Sequence, residues 1–252
     1  IDTAIAYGDS EKKIGQILSK LNLKNNFNIT TKLPKIRHKK SNIIKDYVEE
    51  MSYQSLRKIG IKKFYSVLIH DIQDIKSNKK DIIFNALKNL KKKKITKKIG
   101  ISCYSLKDLE KIIKSYEFDI VQIPFNIFDN RVLDKKILSL LKRKKIEIQI
   151  RSVFLQGLLL MQFNKIPKKL QKFKLLSKWR DFLIKYNLSP LEICISYVKT
   201  FNFYKNVIFG FDNYKQFKEV VKLYEKKIFN KNLNYMNKIL KNNSNLINPS
   251  KW

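Results

Sequence analysis

Four polar residues stand at or just beyond the ends of short apolar runs, in the segments IDTAIAYGDSEKKIG, FNITTKLP and FYSVLIHDIQD. They are Asp2, Tyr7, Lys32 and His70. A phenol is a weak acid with a reference pKa of about 10, and a neighbouring ammonium stabilises its phenolate form. A carboxylate would hold that ammonium in place, and an imidazole would orient a substrate oxygen. These residue types together predict a proton-relay site.

The apolar runs alternate with segments of helical periodicity. After a strand tail at residues 1–4, we predict strands at residues 27–31, 64–70, 98–102, 119–124, 146–152 and 206–210. Most of these runs are nearly continuous in apolar residues, which is typical of parallel strands buried on both faces. Helix starts lie between them. Ser105 is predicted to cap one helix, and Ser189 and Pro190 begin another.

Seven strands with intervening helices predict an α/β fold, a (β/α)8 TIM barrel that lacks one unit, as a single domain over residues 1–252. A doubly wound sheet is the alternative, but no GxGxxG motif follows any strand and the chain has only 6 glycines. In the helix after Tyr7, the spacing of Ile14, Ile17, Leu18 and Leu21 predicts the buried face. Chemistry in a barrel collects at the carboxyl ends of the strands, where most of the candidate residues lie.

Composition narrows the functional classes. No apolar stretch approaches the roughly 18 residues of a membrane span. Two histidines and two scattered cysteines offer no metal-ligand spacing. We therefore predict neither a membrane partner nor a metal site. Cys103 and Cys194 lie outside any CxxC motif, which is typical of small core residues in a reducing compartment, and we predict a cytoplasmic protein.

The net charge of +33 offers a rival interpretation, a surface for nucleic acid. Lysine is spread along the whole chain, however. The run from Lys91 to Lys94 closes a predicted helix, where cations complement the helix dipole. Aromatic residues interleaved with arginine are absent there. We therefore keep nucleic-acid binding as the lesser alternative, with steeply salt-dependent affinity as its mark.

Seven segments form an ordered set of motifs along the chain: DTAIAYGDSEKKIG, TTKLP, the histidine of LIHD, IGISCYS, VQIPFN, RSVFLQGLLL and VIFGFDNYKQF. In this order they resemble the aldo-keto reductase family over essentially the whole chain. The first motif is specific, whereas the others are individually weaker. The resemblance implies an NAD(P)H-dependent oxidoreductase that reduces an aldehyde or a ketone to an alcohol.

Carried over residue by residue, the resemblance implies that Tyr7 is the general acid that protonates the carbonyl oxygen. Lys32 would stabilise the phenolate, Asp2 would pair with Lys32, and His70 would orient the substrate carbonyl. The implied substrate is a small carbonyl compound. RSVFLQGLLL and the INPSKW ending are similar to bacterial members linked to sugar or surface-polysaccharide pathways, which suggests a sugar or a sugar-derived aldehyde.

The resemblance also implies a cofactor site. Ser102 and Gln122 match the positions that hydrogen-bond the nicotinamide carboxamide, and Arg151 stands where many members stack a tyrosine. The remaining matches form a loop under the pyrophosphate and a loop around the adenosine ribose: Ser152, Leu155, Gln156 and Gly157, then Gly210, Asn213 and Gln216. The family expectation is NADP. NAD is the alternative, because Gly210 and Gln216 stand near the places of the basic pair that usually grips the 2′-phosphate.

Two departures from the family pattern bear on activity. Cys103 replaces the usual asparagine beside Ser102. The family's first strand and helix would precede Ile1, so we expect an N-terminally truncated barrel. A catalytically silent nucleotide-binding relative and an inactive fragment are the alternatives to an active reductase. The intact set of four polar residues argues against a silent site, which would be free to lose them.

Overall fold

The computed structural model of the protein describes residues 1–226, 245–249 and 252. Strands and helices alternate along them. The strands are β1 Thr30–Leu33, β2 Phe64–Ile69, β3 Thr96–Ser102, β4 Ile120–Pro124, β5 Glu147–Arg151 and β6 Asn206–Val207. The α-helices are α1 Ser10–Lys20, α2 Ile44–Ile59, α3 Ile72–Lys76, α4 Lys80–Lys92, α5 Leu106–Ser115, α6 Lys135–Arg143, α7 Lys168–Gln171, α8 Lys174–Lys185, α9 Pro190–Lys199 and α10 Tyr214–Glu225. Short 3₁₀ helices lie at Ser41–Ile43, Arg131–Leu133, Leu158–Leu160 and Phe163–Lys165.

The chain divides into two compact units. The first comprises Ile1–Gln122 and Leu140–Glu147, and the second comprises Ile123–Ser139 and Ile148–Trp252. In the first unit, the strands from β1 to the start of β4 are parallel and pair in chain order. Ahead of them, Asp2 forms a parallel bridge with Thr30 of β1. Because the strands are parallel, their carboxyl ends meet at one edge of the sheet.

Burial explains why the apolar runs predict the strands well. Every residue of β1 and β4 is buried, as expected of strands covered on both faces. The strand predicted at residues 27–31 lies instead at Thr30–Leu33, and Phe27 is largely exposed. The register places Thr30 opposite Ser66, where their hydroxyls form a buried hydrogen bond of 2.7 Å. The start of this strand is therefore set by its partner and not by the apolar run.

The buried face of α1 differs from the prediction. Ile17 and Leu21, predicted to be buried, are each 57% exposed, and the buried residues of the helix are Glu11, Gly15 and Leu18. Gly15 accounts for the difference, since a Cβ at this position would lie 2.4 Å from the carbonyl oxygen of Lys58 in α2. The glycine lets α1 approach α2 more closely than any side chain would allow. The prediction was therefore wrong for Ile17 and Leu21, whereas Leu18 is buried as predicted.

The second unit is built around an aromatic cluster. Phe125 lies within 5.4 Å, centroid to centroid, of the rings of Tyr197, Phe201 and Phe203. Burial raises the pKa of Tyr197 to about 12. The strands β5 and β6 of this unit are parallel, with Ile150 opposite Val207. The predicted start of α9 is confirmed, because the Ser189 hydroxyl accepts the Glu192 N–H and Pro190 is the first helical residue.

Two further properties hold for the described residues. None of their helices is long and apolar enough to cross a membrane. In the same part of the chain, no group of three or more histidine, cysteine, aspartate or glutamate side chains is placed to hold a metal ion.

Candidate active site

The strand edge of the first unit gathers polar side chains around one buried ammonium. Lys32, in β1, is only 1% exposed. Its Nζ donates to Asp2 Oδ2 at 2.6 Å, to the Thr3 carbonyl oxygen at 2.9 Å and to Tyr7 Oη at 3.5 Å. Three acceptors match the three N–H bonds of an ammonium. A buried charge is costly unless it is paired and fully hydrogen-bonded, and this one is both.

Tyr7 is the accessible member of the group. Its side chain is 47% exposed, so the ring is not a core residue. Besides the contact with its hydroxyl, the Lys32 ammonium lies 5.0 Å from the centroid of the Tyr7 ring. The exposed Tyr7 residue therefore carries its hydroxyl beside a buried cation.

His70 lies on the other side of Tyr7. It follows the last residue of β2, and the two rings meet edge to face with centroids 5.7 Å apart and an interplanar angle of 82°. The imidazole is partly exposed. The structure thus brings together all four residues that the sequence singles out for proton transfer.

Ser102 and Gln122 extend this group across the next two strands. They sit opposite each other in β3 and β4, and the Ser102 hydroxyl donates to Gln122 Oε1 at 3.3 Å. The Gln122 amide in turn donates to Asp2 Oδ1 at 2.8 Å. The carboxylate of Asp2 is therefore bound through both oxygens, one by Lys32 and the other by Gln122. This bracing fixes the carboxylate that orients the ammonium.

Charged side chains connect the loop after β1 to Asp71 and Asp74, at the start of α3. Arg37 Nη1 pairs with Asp71 Oδ2 at 2.7 Å, and Asp74 Oδ1 accepts the backbone N–H groups of Ile36 and Arg37. Burial raises the pKa of Asp71, but the Gln73 N–H and the Arg37 guanidinium hold it below its usual value overall. The loop after β1 and the start of α3 are thereby joined.

In the second unit, residues 152–157 form a strained loop directly after β5. Ser152, Leu155, Gln156 and Gly157 all have positive φ, between 48° and 79°. Left-handed backbone costs about 1–3 kcal/mol at residues other than glycine and collects at ligand sites. The loop is anchored by the Asn126 side-chain amide, which donates to the Ser152 carbonyl at 2.9 Å. Arg151 also donates from Nη1 to the Ser152 hydroxyl at 3.0 Å.

The loop before α10 holds the other predicted cofactor residues. Asn213 caps the helix, its side chain accepting the Gln216 N–H at 3.0 Å. Gln216 Oε1 turns back and accepts the Asp212 N–H at 2.9 Å. A Cβ added at Gly210 would meet nothing within 4 Å, so the chain is open there.

The loop at residues 155–157 suits the phosphates of a dinucleotide. Leu155, Gln156 and Gly157 have left-handed backbone, and turns of this kind with free backbone N–H groups form concavities that bind anions. Within the described residues, the N–H groups of Gln156 and Gly157 donate no hydrogen bond. A Cβ at Gly157 would also meet nothing within 4 Å. Donors without acceptors, beside open space, fit the oxygens of a pyrophosphate.

Two groups at the site were not predicted from the sequence. One is the Thr3 carbonyl, the third acceptor of Lys32, which has no side-chain signal at all. The other is Glu11, which is buried and accepts the hydroxyl of Thr31, the residue before Lys32. The sequence did contain a signal for Glu11, because this residue lies one helical turn before Gly15, on the same face of the helix.

The sequence model of the aldo/keto reductase family matches residues 1–241. Among solved structures, the chain is similar to the aldo-keto reductase AKR11C1 from Bacillus halodurans. The apo form has a TM-score of 0.73 at 19% identity, covering 95% of this chain and 80% of that one. The holo form gives a TM-score of 0.74 at the same identity, with 95% and 81% covered. No curated protein matches the sequence.

The structural likeness and the sequence match bear on different points. At 19% identity the likeness concerns the fold alone, and with the parallel β/α alternation it confirms the predicted class, a (β/α)8 barrel. The family match spans most of the chain and identifies it. The protein belongs to the aldo/keto reductase family.

Proposed function

We propose that the protein reduces an aldehyde or a ketone to the alcohol, with Tyr7 as the general acid. Aldo/keto reductases use NAD(P)H for carbonyl reduction, and the family match extends this chemistry to the chain in outline. The observation that carries the assignment of residues is the buried Lys32 ammonium, which pairs with Asp2 and contacts the hydroxyl of Tyr7.

The proposed step follows from that contact. A nicotinamide held by the cofactor residues would supply the hydride that the carbonyl carbon accepts. Tyr7 donates its proton to the carbonyl oxygen as negative charge develops there. Lys32, at 3.5 Å from Tyr7 Oη, stabilises the phenolate that remains, and Asp2 keeps the ammonium aligned. His70, edge to face with Tyr7, donates a second hydrogen bond to the substrate oxygen and so orients the carbonyl.

The cofactor residues are part of the proposal. Gln156 and Gly157 offer backbone donors to a pyrophosphate, and Ser102 and Gln122 lie beside Asp2 as the carboxamide partners. The family expectation is NADP. The loop before α10 carries no side chain at Gly210 and an amide at Gln216, which keeps NAD as the alternative.

The proposed substrate is a small polar carbonyl compound, and a sugar or a sugar-derived aldehyde is the first class to test. Residues 35–40, after β1, are KIRHKK and include no phenylalanine, tyrosine or tryptophan to pack against a flat apolar substrate. We also propose a cytoplasmic location, which the buried thiols of Cys103 and Cys194 support.

The test follows oxidation of NADPH and of NADH in the presence of a panel of aldehydes, ketones and sugars. Tyr7→Phe should lower kcat by about 10²–10⁴-fold, the usual worth of a general acid, and leave cofactor affinity intact. Tyr53→Phe is the matched control, because Tyr53 is an exposed tyrosine of α2. Equal turnover by Tyr7→Phe and the wild type would refute the role of Tyr7. Absence of turnover with every compound would count against the reductase itself.

A further inference from the structure

Glu11 is a buried carboxylate that the proposed reaction does not use. It is 2% exposed and lies in the first turn of α1, four residues after Tyr7 in the sequence. One oxygen accepts the Thr31 hydroxyl at 2.8 Å, and the other accepts the Ser55 hydroxyl at 3.0 Å. No lysine or arginine among the described residues forms an ion pair with it. Burying a carboxyl group with hydroxyl partners alone is costly, so its place here calls for a reason.

The two hydroxyls connect Glu11 to the elements around the proposed site. Thr31 directly precedes Lys32 in β1, and Ser55 lies in α2. Glu11 itself belongs to the helix that follows Tyr7. One carboxylate oxygen thus joins the segment that carries the proposed acid to the strand that carries its cation, and the other oxygen is bound by Ser55 of α2.

The position of the Tyr7 side chain depends on the hydrogen bonds of the residues before and after it in the sequence. The side chain is 47% exposed, so packing fixes it only in part. Upstream, the Thr3 and Ser10 hydroxyls are hydrogen-bonded at 3.0 Å across the base of the loop that carries Tyr7. Downstream, the next side-chain bond to β1 is the one from Thr31 to Glu11.

We propose that Glu11 is a positioning residue, which sets the distance between the Tyr7 hydroxyl and the Lys32 ammonium through its bonds to Thr31 and Ser55. The inference rests on the proposed function. The charged and titratable groups that face Tyr7 are Lys32 and His70, with Asp2 behind Lys32. Moving the ammonium from 3.5 Å to about 5 Å would weaken its stabilisation of the phenolate about tenfold, at an effective dielectric constant of about 20.

The test uses two serines of α2 that differ in their partners. Both Ser55 and Ser52 are buried, but the Ser52 hydroxyl donates to the Val48 carbonyl at 2.7 Å within the helix. Ser55→Ala should lower kcat about three- to tenfold, with KM and cofactor affinity unchanged. The alkaline fall of the rate should also move to higher pH, because the phenolate is less stabilised. Ser52→Ala should lose similar stability and keep the wild-type kcat and pH profile.

A second pair and a spectroscopic readout complete the test. Thr31→Val should behave as Ser55→Ala does, whereas Thr30→Val, which removes the hydroxyl bonded to Ser66, should keep the wild-type kcat. Ionisation of Tyr7 can be followed without turnover, as the ultraviolet difference between each protein and its Tyr7→Phe counterpart. The midpoint pH of this ionisation should be higher in Ser55→Ala than in the wild type, and it should be unchanged in Ser52→Ala.

The outcomes separate this inference from the proposed function. An unchanged kcat and Tyr7 midpoint in Ser55→Ala and Thr31→Val would overturn the positioning role. An equal loss in all four variants would also overturn it, since that is the mark of general destabilisation. If the wild type reduces no carbonyl compound, the reductase proposal fails, and the Tyr7 titration alone still decides whether Glu11 positions the pair.

Discussion

Replacing Lys32 with methionine tests both the stability and the chemistry of the site. The substitution keeps most of the apolar stem and removes the ammonium. Three acceptors then lose their donor: Asp2 Oδ2, the Thr3 carbonyl and Tyr7 Oη. The carboxylate is the critical one, because an uncompensated buried charge is far more costly than an unmade neutral hydrogen bond.

The structure sets the size of the effect. Removing one partner of a buried ion pair costs about 3–5 kcal/mol. Asp2 is 16% exposed and keeps its bond from the Gln122 amide, so we expect the lower end, about 3 kcal/mol. In a domain of this size each kcal/mol lowers the melting temperature by about 2–4 °C, so Lys32→Met should melt about 6–12 °C lower. Loss of phenolate stabilisation should lower kcat by about 10²-fold or more.

A second substitution separates the two effects. Asp2→Asn in the Lys32→Met background removes the unpaired charge, so it should recover a large part of the lost stability and none of the activity. Thermal unfolding followed by circular dichroism, with cofactor oxidation measured on the same samples, gives both quantities. A wild-type melting temperature in Lys32→Met would refute the buried pair. A return of activity in the double variant would refute the role of the ammonium.

Two further predictions concern packing and pH. Gly100→Ala should destabilise the protein by about 2 kcal/mol or more in urea unfolding. The reason is that the added Cβ would lie 2.2 Å from the Ile120 carbonyl oxygen in the neighbouring strand. Wild-type stability in this variant would show that β3 and β4 can separate there. The pKa of Asp71 is lowered in the folded state, so its contribution is present above the unfolded value of 3.8 and is lost as the pH falls below that value. Asp71→Asn should therefore lose less stability on acidification than the wild type, and an equal loss in urea titrations would contradict this.

Much of the fold was predictable because parallel buried strands leave a direct mark on the sequence. The apolar runs that became β2 and β4 fall within a residue or two of their predicted bounds. The cap at Ser105 is also confirmed, since its hydroxyl accepts the Asp108 N–H. These features depend on local chemistry, which periodicity and capping preferences capture.

Features that depend on close approach between elements were not predictable in the same way. The face of α1 that packs against α2 is decided by the absence of a side chain at Gly15. The spacing of apolar residues does not reveal such a close contact at a glycine. The same applies to the site. Residue type predicted Asp2, Tyr7, Lys32 and His70, but a backbone carbonyl such as that of Thr3 has no residue-type signal. For Glu11, the only signal in the sequence was its position on the same helix face as Gly15.

Proton donation by Tyr7 is tested most directly by a single-turnover measurement of carbonyl reduction in the wild type and in Tyr7→Phe, with reduced cofactor bound at saturation. We expect a rapid carbonyl-dependent oxidation of the bound cofactor in the wild type. Tyr7→Phe should bind the cofactor equally well, and its rate of cofactor oxidation should be lower by about 10²-fold or more. The same rate in both proteins, with the cofactor bound in each, would contradict proton donation by Tyr7.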